Sequence, residues 1–160
     1  MEHILGQLFR HNLWANLTLL DACAELTDAQ LDSSVPGTRG TIRETLKHIA
    51  GAEERYVAAL RDEPRPEPRE RAPWEGIAGL RAALDSTGRA LIEIAETEQP
   101  GRILRGMRGS EPYALPAWLL LTQAINHATE HRSQVATILT QQGIQPPDMD
   151  GWHFYEQTRG

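Results

Sequence analysis

Apolar residues return every three or four positions in four stretches of this chain, and no stretch keeps a clean alternation of period two. The first stretch runs from about His3 to Leu26. Leu5, Phe9, Asn12, Asn16, Leu19 and Cys23 form its stripe, with Leu8, Ala15 and Ala22 beside it. "LTDAQLD" reads as a stop in which Thr27 can cap a short turn, and "SSVPGTRG" reads as a loop. The second stretch opens at "GTIRETLKH", where Thr41 and Glu44 have the spacing of a capping box. Its stripe is Ile42, Leu46, Ile49, Glu53, Tyr56 and Leu60.

"RDEPRPEPRERAP" follows, with four prolines among alternating charges. Such a composition cannot continue a helix and predicts an extended, solvated connector over residues 61–73. The third stretch steps through Ile77, Leu80, Leu84, Thr87, Leu91 and Ile94, the spacing of bundle core positions. "PGRILRGMRGSEPYALP" reads as loop, with a short hairpin at "RILRG" as a minor alternative. The fourth stretch starts near Pro116 and runs to Gln142, with Gly143 as its stop. The tail, residues 144–160, reads as irregular chain docked through Trp152, Phe154 and Tyr155. The expected fold is all-α, a four-helix bundle of the antiparallel type in one domain, with the long Pro-rich connector between its second and third helices.

Composition narrows the class more than the function. In 160 residues, 40% are hydrophobic and 24% charged, as in an ordinary soluble domain. The net charge of −6 carries no basic footprint for a nucleic-acid backbone. The longest apolar run, near "LPAWLLL", is too short to span a bilayer, and the N-terminal residues lack the layout of an export signal. The single cysteine, Cys23, cannot close an internal disulfide, which suits the cytoplasm.

The chemistry lies in "NHATEH", Asn126 to His131. Its letters spell the H-x-x-E-H motif of inverted zincins. That motif needs a further acidic ligand far downstream, and only 29 residues follow His131. Helical register supplies a different reading. The inward stripe runs Ala117, Leu120, Ala124, His127, His131, Gln134 and Ile138, so the two histidines share a face one turn apart. Buried side by side without a metal, their nitrogens would each need a partner. A third ligand is needed as well. His48 is the first choice, flanked on its face by the small residues Thr45 and Ala52; His11 is the second.

Four stretches, "HNLWANLTLLDAC", "GTIRETLKHIAGAEERY", "PWEGI" and "LLLTQAINHATEHRSQVATILTQQG", together with the tail "PPDMDGWHFYE", resemble the DinB family of small bacterial four-helix bundles. The resemblance implies a three-His site, one ligand in the "LKHIAGAEE" context and two in "HATEHRSQ": His48, His127 and His131. It implies a divalent ion such as zinc, nickel or iron. Some relatives of this kind are transferases or isomerases that use a low-molecular-weight thiol, and a homodimer is expected. An open position on a three-His ion lowers the pKa of bound water to about 7 or takes up a thiolate. The function expected is therefore metal-dependent hydrolysis or thiol transfer on a small-molecule substrate. The alternative is a bundle that binds a metal or small ligand without turnover, in a stress response.

Other polar positions are also explained by ordinary packing. Glu53, in mid-stripe, is a candidate base, although a half-buried Glu paired with Arg132 is the plainer reading. Asn12 and Gln134 point inward and can orient imidazoles. Glu130 is offset from both histidines on the helical wheel and is placed, at most, behind them.

Overall fold

The computed structural model describes residues 3–159, apart from the side chain of Arg108. Met1, Glu2 and Gly160, which belong to the expected domain and its docked tail, lie outside the described residues. Within them the chain is mostly helical, with one small sheet. Four long helices, α1 (Ile4–Ala24), α3 (Ile42–Leu60), α4 (Gly76–Thr97) and α5 (Ala117–Gln141), carry the core; α1 packs on α4 and α5, and α3 packs on the same two. The short α2 (Asp28–Leu31) turns the chain between α1 and α3. Thr27 and Gln30 cap it reciprocally, as Thr41 and Glu44 cap α3.

Two elements depart from an all-α reading. Residues Ile103–Arg108 (β1) and Glu111–Pro116 (β2) form a full antiparallel hairpin, with Ile103 opposite Pro116 and Gly106 opposite Tyr113. It is larger than the minor hairpin considered at "RILRG". Gly109 closes it at φ +64°. The tail is not irregular either. Asp150 accepts a hydrogen bond from the His153 amide and starts α6 (Gly151–Thr158). Phe154 packs against His11 and Trp14, and His11 Nε2 lies 2.9 Å from the Met149 carbonyl. Trp152 and Tyr155, expected as anchors, stay exposed at 81% and 58%.

At one level of the core, side chains from four helices form a polar relay. Glu53 of α3 accepts hydrogen bonds from Asn12 Nδ2 (2.9 Å) and Asn16 Nδ2 (2.8 Å) of α1, and from Thr87 Oγ1 (2.9 Å) of α4. Arg132 of α5 donates to Asn12 Oδ1 (2.8 Å) and Asn16 Oδ1 (2.7 Å). The expected Glu53–Arg132 pair is therefore relayed through two amides. Asn12 serves this relay and does not orient an imidazole. Burial pushes the Glu53 pKa up, against its three donors and Arg132, and lowers that of Arg132 to about 10. Every buried side-chain polar atom among the described residues has a partner.

Residues 61–65 are exposed, as expected of a solvated connector, but the segment from Arg69 on is fastened to α3. The chain leaves α3 at Asp62 and turns once as a 3-10 helix at Arg69–Arg71. Lys47, the chain's one lysine, donates to the carbonyls of Glu70 and Ala72, and Arg69 pairs with Glu54 and Glu75. Gly51 faces this segment. A Cβ there would meet Arg69 and Glu70 atoms at 3.1 Å, so the bare helix face is what lets the connector sit down.

Helices α3 and α5 end in the same motif with different residues. After α5, Gly143 (φ +74°) donates to Thr140 O and Ile144 to Leu139 O, a Schellman closure. After α3, Asp62 (φ +57°) donates to Ala59 O and Glu63 to Ala58 O. A left-handed non-glycine residue carries a steric cost. Asp62→Gly is expected to stabilise the protein by roughly 0.5–1 kcal/mol, read as a raised midpoint in chemical denaturation.

Candidate metal centre

His48, His127 and His131 meet between α3 and α5, with one candidate nitrogen from each lying within 4.8 Å of the others. Ring centroids are 4.4 to 4.8 Å apart, and His48 Nε2 lies 2.9 Å from His127 Nε2. Three nitrogens each about 2 Å from one ion are at most about 4 Å apart. Small side-chain rotations therefore bring this set to ligating distance. Thr45 and Ala52, the small flanking residues, are buried beside His48.

The stripe of α5 sits slightly differently from the register expected for the fourth stretch. Its buried residues are Ala117, Leu121, Ala124, Ala128, His131, Arg132, Val135, Ile138 and Leu139. His131 is in the core, 7% exposed, whereas His127, Leu120 and Gln134 lie half-buried at the edge. The interior turn that would otherwise belong to His127 is taken by Ala128. One member of the pair is thus anchored and the other faces the seam between helices.

Hydrogen-bond partners fix two of the three tautomers. His48 Nδ1 lies 2.8 Å from Glu70 Oε1, and a carboxylate only accepts, so Nδ1 carries the proton and Nε2 is free. His131 Nδ1 lies 2.9 Å from Gln134 Oε1. The Arg39 backbone amide donates to that same oxygen at 3.1 Å, which identifies it as the carbonyl end. His131 is therefore also protonated on Nδ1, with Nε2 free. Gln134 orients an imidazole, the task considered for it in the sequence. Glu130, exposed, accepts from Gln134 Nε2 at 3.5 Å and touches neither histidine.

Glu70 is the residue sequence reasoning missed. It receives Arg55 on both oxygens at 3.2 Å while holding His48. Burial opposes its ionisation, but the donors Arg55, its own backbone amide and His48 outweigh burial and hold its pKa at about 2. The carboxylate is thus permanently charged behind His48, which raises imidazole basicity toward a metal. One signal for this contact was present: Gly51, an isolated glycine inside a helical pattern, which marks a close approach.

The remaining candidates fall elsewhere. His11 meets the tail, His3 caps α1 by accepting from the Gly6 amide, and His153 lies against Trp14. Glu53 is 1% exposed, fully engaged in the core relay, and outside the histidine group. Tyr56 presents its ring to His127, centroids 6.0 Å apart. It also lines a cleft of about 630 Å³ that Leu120 and the hairpin residues Met107 and Tyr113 share.

The chain belongs to the DinB family: that family's model matches residues 1–159. Among solved structures it is similar to the crystal structure of a DinB-like protein from Bacillus cereus. The TM-score is 0.69 at 19% identity, over 90% of this chain and 94% of that one, a likeness of fold. No curated protein matches the chain. No helix among the described residues is long and apolar enough to cross a membrane.

The histidines also set a pH dependence. Burial, then the neighbouring His131 and His48, then Arg55 and Arg39, lower the His127 pKa from 6.5 to about 4. Burial likewise lowers that of His48, against Glu70. A base whose pKa falls on folding binds more protons when unfolded, so stability is lost as pH drops through that interval. The metal-free protein is expected to lose stability between pH 6.5 and about 4. His127→Asn should flatten that slope in denaturation midpoints measured across the range.

Proposed function

We propose that the protein is a metal-dependent enzyme in which His48, His127 and His131 hold a divalent ion, zinc, nickel or iron, with a position left open for substrate. The supporting observation is the donor set itself: three imidazoles from two helices, two with Nδ1 committed to acceptors and Nε2 free. Such a set fits a divalent ion of borderline softness. Bound there, the ion supplies Lewis acidity at an open position, which suits hydrolysis or thiol transfer.

The chain's own residues do the rest. Glu70 holds His48 in place and supports its donor strength; Gln134 does the same for His131 without charge. His127 lacks such a fixed role. With His48 Nε2 unprotonated, it donates from its own Nε2 across the 2.9 Å gap; to hold an ion through that atom it would carry its proton on Nδ1 instead. Tyr56 and the cleft beside it give a small molecule of mixed polarity a place to lie against the His127 side. This reading carries a small-molecule substrate, a low-molecular-weight thiol among the candidates, a cytoplasmic setting, and a homodimeric four-helix bundle, all on the strength of family resemblance.

A second reading is favoured by the fate of Glu53. Among the described residues the one carboxylate in the interior of the bundle is spent on the core relay, and Glu70 is held ionised by Arg55. A bundle that binds metal or a small ligand without turnover would need no free base. Screening the pure protein against thiol-transfer, ester and amide substrates separates the two: metal-dependent turnover that disappears in ligand variants excludes mere binding.

Metal analysis after purification without chelator tests the site. Stoichiometric metal is expected in the wild type and its loss in a His127→Ala/His131→Ala variant; a variant that keeps stoichiometric metal overturns the assignment. Glu70→Gln keeps a hydrogen-bond acceptor but removes the charge. It is expected to weaken metal affinity by roughly 10- to 100-fold in a competition titration while leaving the fold intact.

A further inference from the structure

We propose that Arg39 forms a carboxylate-binding subsite beside the three histidines, so that the small molecule handled there carries a carboxylate near the atom that meets the centre. This rests on the metal-centre reading above. Loop geometry places the residue. The Arg39 amide donates to Gln134 Oε1, the same oxygen that holds His131. On either side of Arg39, Thr38 Oγ1 donates to the carbonyls of Val35 and Gly40, and the Ile42 amide closes the loop onto Ser33 O. The backbone is therefore clamped to the centre at this residue.

The side chain, by contrast, is uncommitted. Arg39 is exposed, and among the described residues no carboxylate lies within ion-pairing distance of it. The other guanidinium near the cluster, Arg55, is occupied by Glu70. A cation whose backbone is clamped one hydrogen bond from the residue that holds His131, and whose head is free, is a receptor for an anion. A planar guanidinium meets a carboxylate with two parallel hydrogen bonds.

The test uses the full chain loaded with cobalt(II) and two thiol probes that differ in one group. 3-Mercaptopropionate carries a carboxylate and 2-mercaptoethanol carries a neutral hydroxyl. The thiolate-to-cobalt absorption band reports binding of either. After correction for thiol ionisation, the wild type is expected to prefer the carboxylate probe by about tenfold. That preference should shrink with ionic strength. Arg39→Gln should abolish it, and Arg39→Lys should keep part of it, with cobalt affinity and 2-mercaptoethanol binding unchanged. A wild type with no preference, or a preference that survives Arg39→Gln, overturns the subsite. Failure to bind cobalt through the histidines overturns the metal-centre reading instead, and the subsite with it.

Discussion

The buried charge on Glu53 constrains the whole structure. A carboxylate out of water costs several kcal/mol unless it is hydrogen-bonded and balanced. Here balance comes through Asn12 and Asn16, whose amides donate to Glu53 with one end and accept from Arg132 with the other. Thr87 supplies the remaining donor. Satisfying all five groups fixes the rotation of α1, α3, α4 and α5 about their own axes. Arg132 follows His131 directly in sequence. The rotation of α5 that brings the guanidinium to the asparagines therefore also sets where His131 points. An apolar core could slide or rotate at little cost; this one has a single polar register.

The second determinant is the segment between α3 and α4. Proline and charge keep it out of regular helix, but arginine–carboxylate contacts and Lys47 fasten it to α3. Its Glu70 then becomes part of the centre. The site is thus assembled from three parts of different character: a face of α3 that presents His48, a turn of α5 that presents His131 from the core and His127 from its edge, and a strapped loop that supplies a charge. Individually these half-buried ion pairs contribute modestly. Together they hold one carboxylate in one place.

Several of these features could be read from residue order and several could not. The long helices were plain because burying one face imposes a period of 3.6, and that period runs unbroken through Leu80, Leu84, Leu91 and Ile94. Spacing pointed to His127 and His131, and His48 headed a ranking that also held His11, with which the family resemblance agreed. Glu70 had no periodic signal, because a carboxylate in a proline-rich stretch looks the same whether it is solvated or docked. The hairpin was underestimated because its strands bury little: Ile103 and Met107 are 46% and 62% exposed, and among the described side chains of the two strands Leu104 is the one that is buried in the core. The α5 stripe was offset at His127 because the core prefers the small Ala128 at its closest packing. The relay defeated pairwise reasoning: Glu53 and Arg132 were matched by charge, but the link runs through two amides that charge counting ignores.

The docked connector has a chemical consequence. Lys47 is the only lysine in the chain, it is 9% exposed, and two backbone carbonyls close over its ammonium group. All other side-chain cations here are guanidinium or imidazole. Acylating reagents and acetyl donors consequently find no free ε-amine on the folded surface. The rate at which Lys47 becomes labelled reports how often the strap lifts off α3, and with it how often Glu70 leaves His48.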